Sequence, residues 1–358
     1  MLLHSPALPP LRPLFSRPSS RFLTPTSSPS SPSHLLSLSS ARAYSEAPSL
    51  PRATHSQRAL LYVPGSSPPE RLTKVLSNGL VGQTGRGQPD VLILDLEDSV
   101  REERKAEASK AVRKALDNAP ADCRSRKYVR INSGQRGFDD LEAILASPNL
   151  QGLVLPKVHT VADLKAVDDF VSRFGPSGKD LSIVASIESP LGLLNMREIA
   201  TTTGRLEALL FAAEDYCASS RLFRSPSRTE LLLARQSVVS VARAFNLNAI
   251  DLVCVQYKGD QALEVLREES EEGRRFGFGG KQVIHPGQVE VVQRAFSPTE
   301  EEIDCARRIL AEYEAAKSSG AGAYGLKGKG GEVLMMDAPM LLQAESLLEQ
   351  ARSVGIEV

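Results

Sequence analysis

The chain has 358 residues and carries 43 Lys and Arg against 43 Asp and Glu, so its formal net charge is zero. That balance, the lack of Trp and an aromatic content of 5% argue against nucleic acid as a partner, which calls for basic excess and stacking rings. No apolar run approaches the ~20 residues of a membrane-spanning helix, so no membrane partner is expected, and the length accommodates one ~250-residue α/β barrel with extra segments.

Residues 1–55 are dense in Ser and Pro, carry Arg12, Arg17, Arg21 and Arg42, and hold no acid before Glu46. This composition cannot bury a core and is that of an organellar transit segment. The mitochondrial matrix is the expected compartment, with the plastid second. Cys123, Cys217, Cys254 and Cys305 are far apart and form no CxxC pair, which argues against a zinc site and a disulfide framework.

From Arg58 onward apolar runs alternate with helical patterns. Strands are predicted at 59–64, 91–95, 128–131, 153–156, 182–187, 208–213, 249–255 and 282–284. Helices are predicted at 69–77, 101–118, 138–146, 161–174, 191–202, 228–245 and 259–276, with another opening after His285. This order predicts a (β/α)8 TIM barrel over residues 56–298 with a C-terminal helical extension over 299–358. An open doubly wound sheet is the alternative, but the turn after Tyr62-Val63-Pro64-Gly65 lacks its glycine fingerprint. Within the extension a helix is predicted from Glu300 through Lys317, a flexible Gly- and Lys-rich linker over 318–331, and a last amphipathic element from Met335 to Ala351.

A barrel gathers its strand ends at one mouth. Here these ends supply Asp95, Glu97, Asp98, Arg130, Asn132, Lys157, Glu188, Glu214, Asp215 and His285. Glu188 and Asp215 end consecutive apolar strands and are the expected metal ligands, since Mg²⁺ takes one or two carboxylates and completes its shell with water or substrate oxygens. Each acid could instead cap the following helix, but capping does not require acids at successive strand ends. Glu97 and Asp98 are placed behind them, either ordering metal-bound water or pairing with Arg71 and Arg130; Asp98 could also cap the next helix. Side-chain parity with Val129 and Ile131 turns Arg130 toward the barrel axis, where a guanidinium needs an anion: a substrate carboxylate, an enolate oxygen or a protein acid. Lys157 invites a Schiff-base reading, ranked below a structural or electrostatic one.

The motifs Tyr62-Val63-Pro64-Gly65, Glu70-Arg71, Asp95-Leu96-Glu97-Asp98, Val129-Arg130-Ile131-Asn132, Leu155-Pro156-Lys157, Ile187-Glu188-Ser189, Ala213-Glu214-Asp215, Ala234-Arg235-Gln236 and Gly280-Lys281-Gln282-Val283-Ile284-His285-Pro286 occur in an order that resembles the citrate lyase β-subunit/malyl-CoA lyase family. The resemblance runs from about Arg58 to the C-terminus. It implies a Mg²⁺-dependent barrel enzyme, usually a homotrimer, that cleaves or forms a carbon–carbon bond in a 3-hydroxyacyl-CoA such as citramalyl-CoA. Carried over by position, Glu188 and Asp215 match metal ligands and Arg130 a substrate-binding arginine. Tyr62 and Lys74 match residues lining the CoA site, Arg71 beside them is a further substrate-binding candidate, and Ile284 and His285 match a segment touching the acyl-CoA. Asp337 matches a catalytic acid that the C-terminal segment delivers into a neighbouring subunit's site. Malyl-CoA lyase, malate synthase or malyl-CoA thioesterase activity are the nearby alternatives, and a non-catalytic CoA-ester-binding or complex subunit the distant one. Two features depart from the family pattern: a turn one residue longer at Ser66-Ser67-Pro68-Pro69, and a Gly-rich insertion over 79–89.

Overall fold

Short apolar runs can bury both faces at once as strands of a parallel sheet that is closed on itself and covered by helices. The computed structural model, which describes residues 55–77, 87–178, 180–319, 324–327 and 333–358, has this form. Strands β1 (Ala59–Pro64), β2 (Val91–Asp95), β3 (Arg126–Arg130), β4 (Gly152–Leu155), β5 (Ser182–Ile187), β6 (Leu206–Phe211), β7 (Asn248–Asp251) and β8 (Gly280–Val283) pair in sequence order, and β8 returns to β1. Every pair is parallel. Around them lie α1 (Pro69–Leu76), α2 (Lys105–Asp117), α3 (Gly134–Ile144), α4 (Val161–Phe174), α5 (Pro190–Leu194), α6 (Met196–Ala200), α7 (Ala213–Ser220), α8 (Leu232–Ala244), α9 (Ala262–Phe276) and α10 (Val289–Ala295). The (β/α)8 expectation holds.

Alternation divides the core. Leu60, Ile93, Tyr128, Val154, Val184, Leu210 and Ile250 fill the axis, while Leu61, Leu92, Val129, Ile183 and Leu209 pack outward on the helices. At the floor the Tyr128 hydroxyl donates to Glu207, which also accepts from Gln57 Nε2 at 2.5 Å. Tyr128 lies beside Gly152 in register, and a Cβ on Gly152 would stand 2.5 Å from the ring. The missing side chain is what lets the ring plug the axis. Between β7, β8 and the outer helices the packing is ionic: Arg235 grips Asp251 through Nε and Nη2 at 3.1 and 2.8 Å and reaches Glu272 at 2.7 Å.

Several boundaries differ from expectation for local reasons. The helix expected over 191–202 is two short ones, because Asn195 ends α5 and opens α6 while its amide donates to the His159 carbonyl at 2.8 Å. Strand β6 stops at Phe211 and the unexpected α7 follows; eight residues with a weak apolar pattern leave little periodic signal. Part of the expected linker over 318–331 is strand: β9 (Tyr324–Lys327) pairs antiparallel with β10 (Val333–Met336). Helices α11 (Glu300–Ser319) and α12 (Ala338–Ser353) pack together through Ile303, Ala306, Ala344, Leu348 and Ala351, a cluster separate from the barrel core. All but the last residue of the expected transit segment 1–55, and residues 79–86 of the Gly-rich insertion over 79–89, lie outside the described residues.

Candidate active site

At the mouth, the strand ends carry charge that the apolar interior cannot hold. Glu188 directly follows β5 and is 3% exposed, and its Oε2 has no hydrogen-bond partner. Burial, and then the charges of Glu97 and Asp215, push its carboxyl up to about 7, against a hydrogen bond from Ser186 and the pull of Arg130. The neighbouring backbone is fixed: the Ser189 hydroxyl accepts the Gly192 N–H at 3.0 Å and caps α5.

Glu214 and Asp215 are not at the end of a strand, as their sequence suggested, but in the first turn of α7. Successive helical residues diverge by ~100°, so the two acids part. Glu214 turns outward to Arg224 Nη1 at 2.5 Å, and Asp215 stays half-buried, near enough for its charge to act on Glu188. The first turn of a helix suits both, since its free N–H groups favour negative charge.

Arg130 faces the axis, as its parity predicted, and its anions are protein acids. Nε and Nη2 donate to the two oxygens of Asp95 at 2.6 and 2.8 Å. Nη1 reaches Glu97 Oε2 at 2.9 Å and Asp98 Oδ2 at 3.3 Å. The guanidinium also lies 5.0 Å from the centre of the Tyr62 ring, a cation–π contact. Burial works against the Asp95 carboxylate, but the Arg130 fork holds its carboxyl below the ordinary range. Asp95 Oδ1 and Oδ2 in turn accept the backbone N–H groups of Glu97 and Ser99 at 3.0 and 3.2 Å, which shapes the loop that presents Glu97.

Lys157 has a left-handed backbone, φ 53°, uncommon outside glycine, and donates to Glu97 Oε1 at 2.6 Å. Burial lowers its proton affinity, but Glu97 more than reverses this, and the ammonium is held above its ordinary range. A Schiff-base lysine requires the opposite shift, so the electrostatic reading of Lys157 is the better one. Glu97 and Asp98 thus meet Arg130 and Lys157 and not Arg71. Asp98 caps no helix, since the next helical turn is entered from Arg101.

The remaining expected site residues are less convergent. Arg71 and Lys74 lie exposed on α1, one turn apart. Ile284 and His285 are exposed beyond β8, where Gln288 Oε1 accepts both their backbone N–H groups at 2.9 and 3.2 Å. The His285 ring stacks on Tyr257 with centres 6.2 Å apart. Asp337 is exposed at the start of α12, and its carboxylate accepts the Met340 N–H at 3.0 Å as the N-cap. Sequence reasoning missed Asp95 as the clamp of Arg130 and Arg224 as the partner of Glu214, since no local pattern marks pairs so far apart in the chain.

The donor set suits a hard divalent cation. One oxygen of the buried Glu188 is unpaired, the charges of Glu97 and Asp215 both act on its carboxylate, and a cation would relieve that repulsion. Among the described residues no three His, Cys, Asp or Glu side chains converge as a metal cluster, so the other positions would fall to oxygens from outside the chain.

The family model for HpcH/HpaI aldolase/citrate lyase matches residues 58–286. The mitochondrial citramalyl-CoA lyase of Homo sapiens is 34% identical over 313 residues, covering 83% of this chain and 86% of that protein. The citrate lyase subunit beta of Escherichia coli K12 is 32% identical over 311 residues, covering 85% of this chain and 96% of that one. Among solved structures, the protein CitE of Mycobacterium tuberculosis in complex with magnesium, acetoacetate and coenzyme A superposes with a TM-score of 0.62 at 29% identity, over 84% of this chain and 99% of that one. With the closed barrel and its acidic mouth, these matches make the chain an enzyme, a lyase belonging to the HpcH/HpaI aldolase/citrate lyase family.

Proposed function

We propose that this protein is a Mg²⁺-dependent lyase that cleaves a 3-hydroxyacyl-CoA, (3S)-citramalyl-CoA foremost, to acetyl-CoA and pyruvate. The carrying observation is the buried, unpaired carboxylate oxygen of Glu188 beside the charge of Asp215. The citramalyl-CoA lyase relatives support the substrate, and the CitE complex with magnesium and coenzyme A supports the cation and the thioester.

Held by Glu188 and Asp215, the cation would supply Lewis-acid polarisation of the substrate's carboxylate and hydroxyl oxygens. Three N–H groups of Arg130 are given to Asp95 and Asp98, and the rest of its fork is available to the thioester oxygen as enolate charge develops there. Glu97 and Asp98, tied to Lys157, order water at the rim. Arg71 and Lys74 offer exposed positive charge to the phosphates of CoA, and Tyr62, Ile284 and His285 line its approach. As the carbon–carbon bond breaks, the hydroxyl proton passes to water at the mouth and the 2-oxo acid leaves. Protonated Asp337 gives its proton to the carbon of the acetyl enolate and is reprotonated from solvent; in condensation the same transfers run in reverse.

Asp337 serves the mouth of a neighbouring copy in a homotrimer. Exposed apolar side chains support such packing: Leu342 on α12 is 65% exposed and Phe223, in the loop after α7, 95%. Residues 1–55 direct the chain to the mitochondrial matrix, 56–298 form the catalytic barrel, and 299–358 form the extension that reaches the neighbour. The test is incubation with citramalyl-CoA and with malyl-CoA, with and without EDTA. EDTA-sensitive release of pyruvate is expected from the first; glyoxylate from the second alone would point to malyl-CoA lyase chemistry. Recovery of the intact hydroxy acid would mean a thioesterase, and no turnover of either would leave a binding subunit.

A further inference from the structure

We propose that Arg224 is a positioning residue that sets Asp215 against Glu188, an inference that rests on reading those two carboxylates as the cation's ligands. Helix α7 has little of its own to set its orientation. It has eight residues and no side-chain cap at Ala212. Its far end is tied down where the Ser219 hydroxyl donates to the Glu188 carbonyl at 3.2 Å. Its first turn is tied down by Arg224.

Arg224 lies in the loop after α7, beside the exposed Phe223, yet its own side chain is 14% exposed. Nη1 donates to Glu214 Oε1 at 2.5 Å and to the Val253 carbonyl beyond β7 at 2.9 Å. Nη2 reaches Glu269 of α9 at 3.3 and 3.4 Å. Glu269 is a firm anchor, since it is buried and also meets Arg228 Nη1 at 3.2 Å and Lys281 Nζ at 3.3 Å. One guanidinium thus fastens the first turn of α7 to both the barrel wall and the outer helix layer. Because adjacent helical residues diverge by ~100°, clamping Glu214 sets the direction of Asp215. An ammonium has one nitrogen where the fork has two, so it cannot reach both the Nη1 partners Glu214 and Val253 and the Nη2 partner Glu269 from their separate positions.

The sign of the effect separates positioning from plain electrostatics. Removing a positive charge beside a cation site raises cation affinity by Coulomb's law, whereas loosening a ligand lowers it. Mn²⁺ binding to the full chain, followed by the electron paramagnetic resonance of free Mn²⁺ alongside thermal melting, reads this without turnover. Arg224→Gln and Arg224→Lys are each expected to weaken Mn²⁺ binding ~10-fold, the usual scale for loss of a partner behind a metal ligand. Arg224→Lys keeps the charge and so remains decisive if the Gln variant fails to fold. Wild-type affinity in Arg224→Lys, or tighter binding in Arg224→Gln, overturns the proposal. Asp215→Asn serves as the control: its expected loss of Mn²⁺ binding upholds the ligand reading, and unchanged binding overturns that reading and this inference with it.

Discussion

Glu188→Gln should stabilise the metal-free protein at alkaline pH while destroying its affinity for a cation. The buried carboxyl has its proton affinity raised from 4.5 to about 7. Below pH 4.5 both folded and unfolded chains hold the proton, and the residue is neutral in the balance. As pH rises from 4.5 toward 7 the unfolded chain releases the proton while the folded one keeps it, so stability falls. Above 7 the full cost of an uncompensated buried charge remains, about 3 kcal/mol at ~1.4 kcal/mol per decade of proton affinity. Glutamine keeps the shape and carries no charge. Urea denaturation in EDTA should therefore show the variant ~2–3 kcal/mol more stable than wild type at pH 8 and within ~1 kcal/mol of it at pH 5. Saturating Mg²⁺ at pH 8 should restore the wild type, by ~2.7 kcal/mol at one hundred times the dissociation constant, and leave the variant unmoved. A variant no more stable than wild type at pH 8 in EDTA would show that the chain already compensates Glu188, and the argument for a cation there would lose its physical basis.

Asp337→Asn separates two roles of one carboxylate. Asparagine caps a helix as well as aspartate does, so melting should stay within ~0.5 kcal/mol of wild type, while turnover of the CoA ester falls at least ~10²-fold with loss of the proton donor. Undiminished turnover would remove Asp337 from the chemistry. Gly152→Ala places a methyl 2.5 Å from a Tyr128 ring whose hydroxyl is tied to Glu207, so the ring cannot swing away without losing that bond. Overpacking of this kind costs ~1–3 kcal/mol; a urea midpoint unchanged from wild type would mean that the barrel floor is looser than it looks.

Much of the scaffold was written in local patterns. Strands β1, β2 and β5 and helix α4 fall where period and turn chemistry placed them, because a two-residue alternation, an apolar run and a Thr160 cap each act within a few residues. The inward turn of Arg130 was legible for the same reason: parity along a strand is a local property. Glu188 too could be found by its place after an apolar strand. What the fold alone decided is who meets whom. Asp95 and Arg130 stand 35 residues apart, Glu97 and Lys157 60, and Arg224 and Glu269 45, and nothing in either neighbourhood names the partner. The same holds for Asp215: a strand-end position would have pointed it one way, and the turn of α7 points it another. Burial of a charge and the pairing that offsets it depend on distances through space, and barrel closure sets those distances only after every strand has found its neighbours.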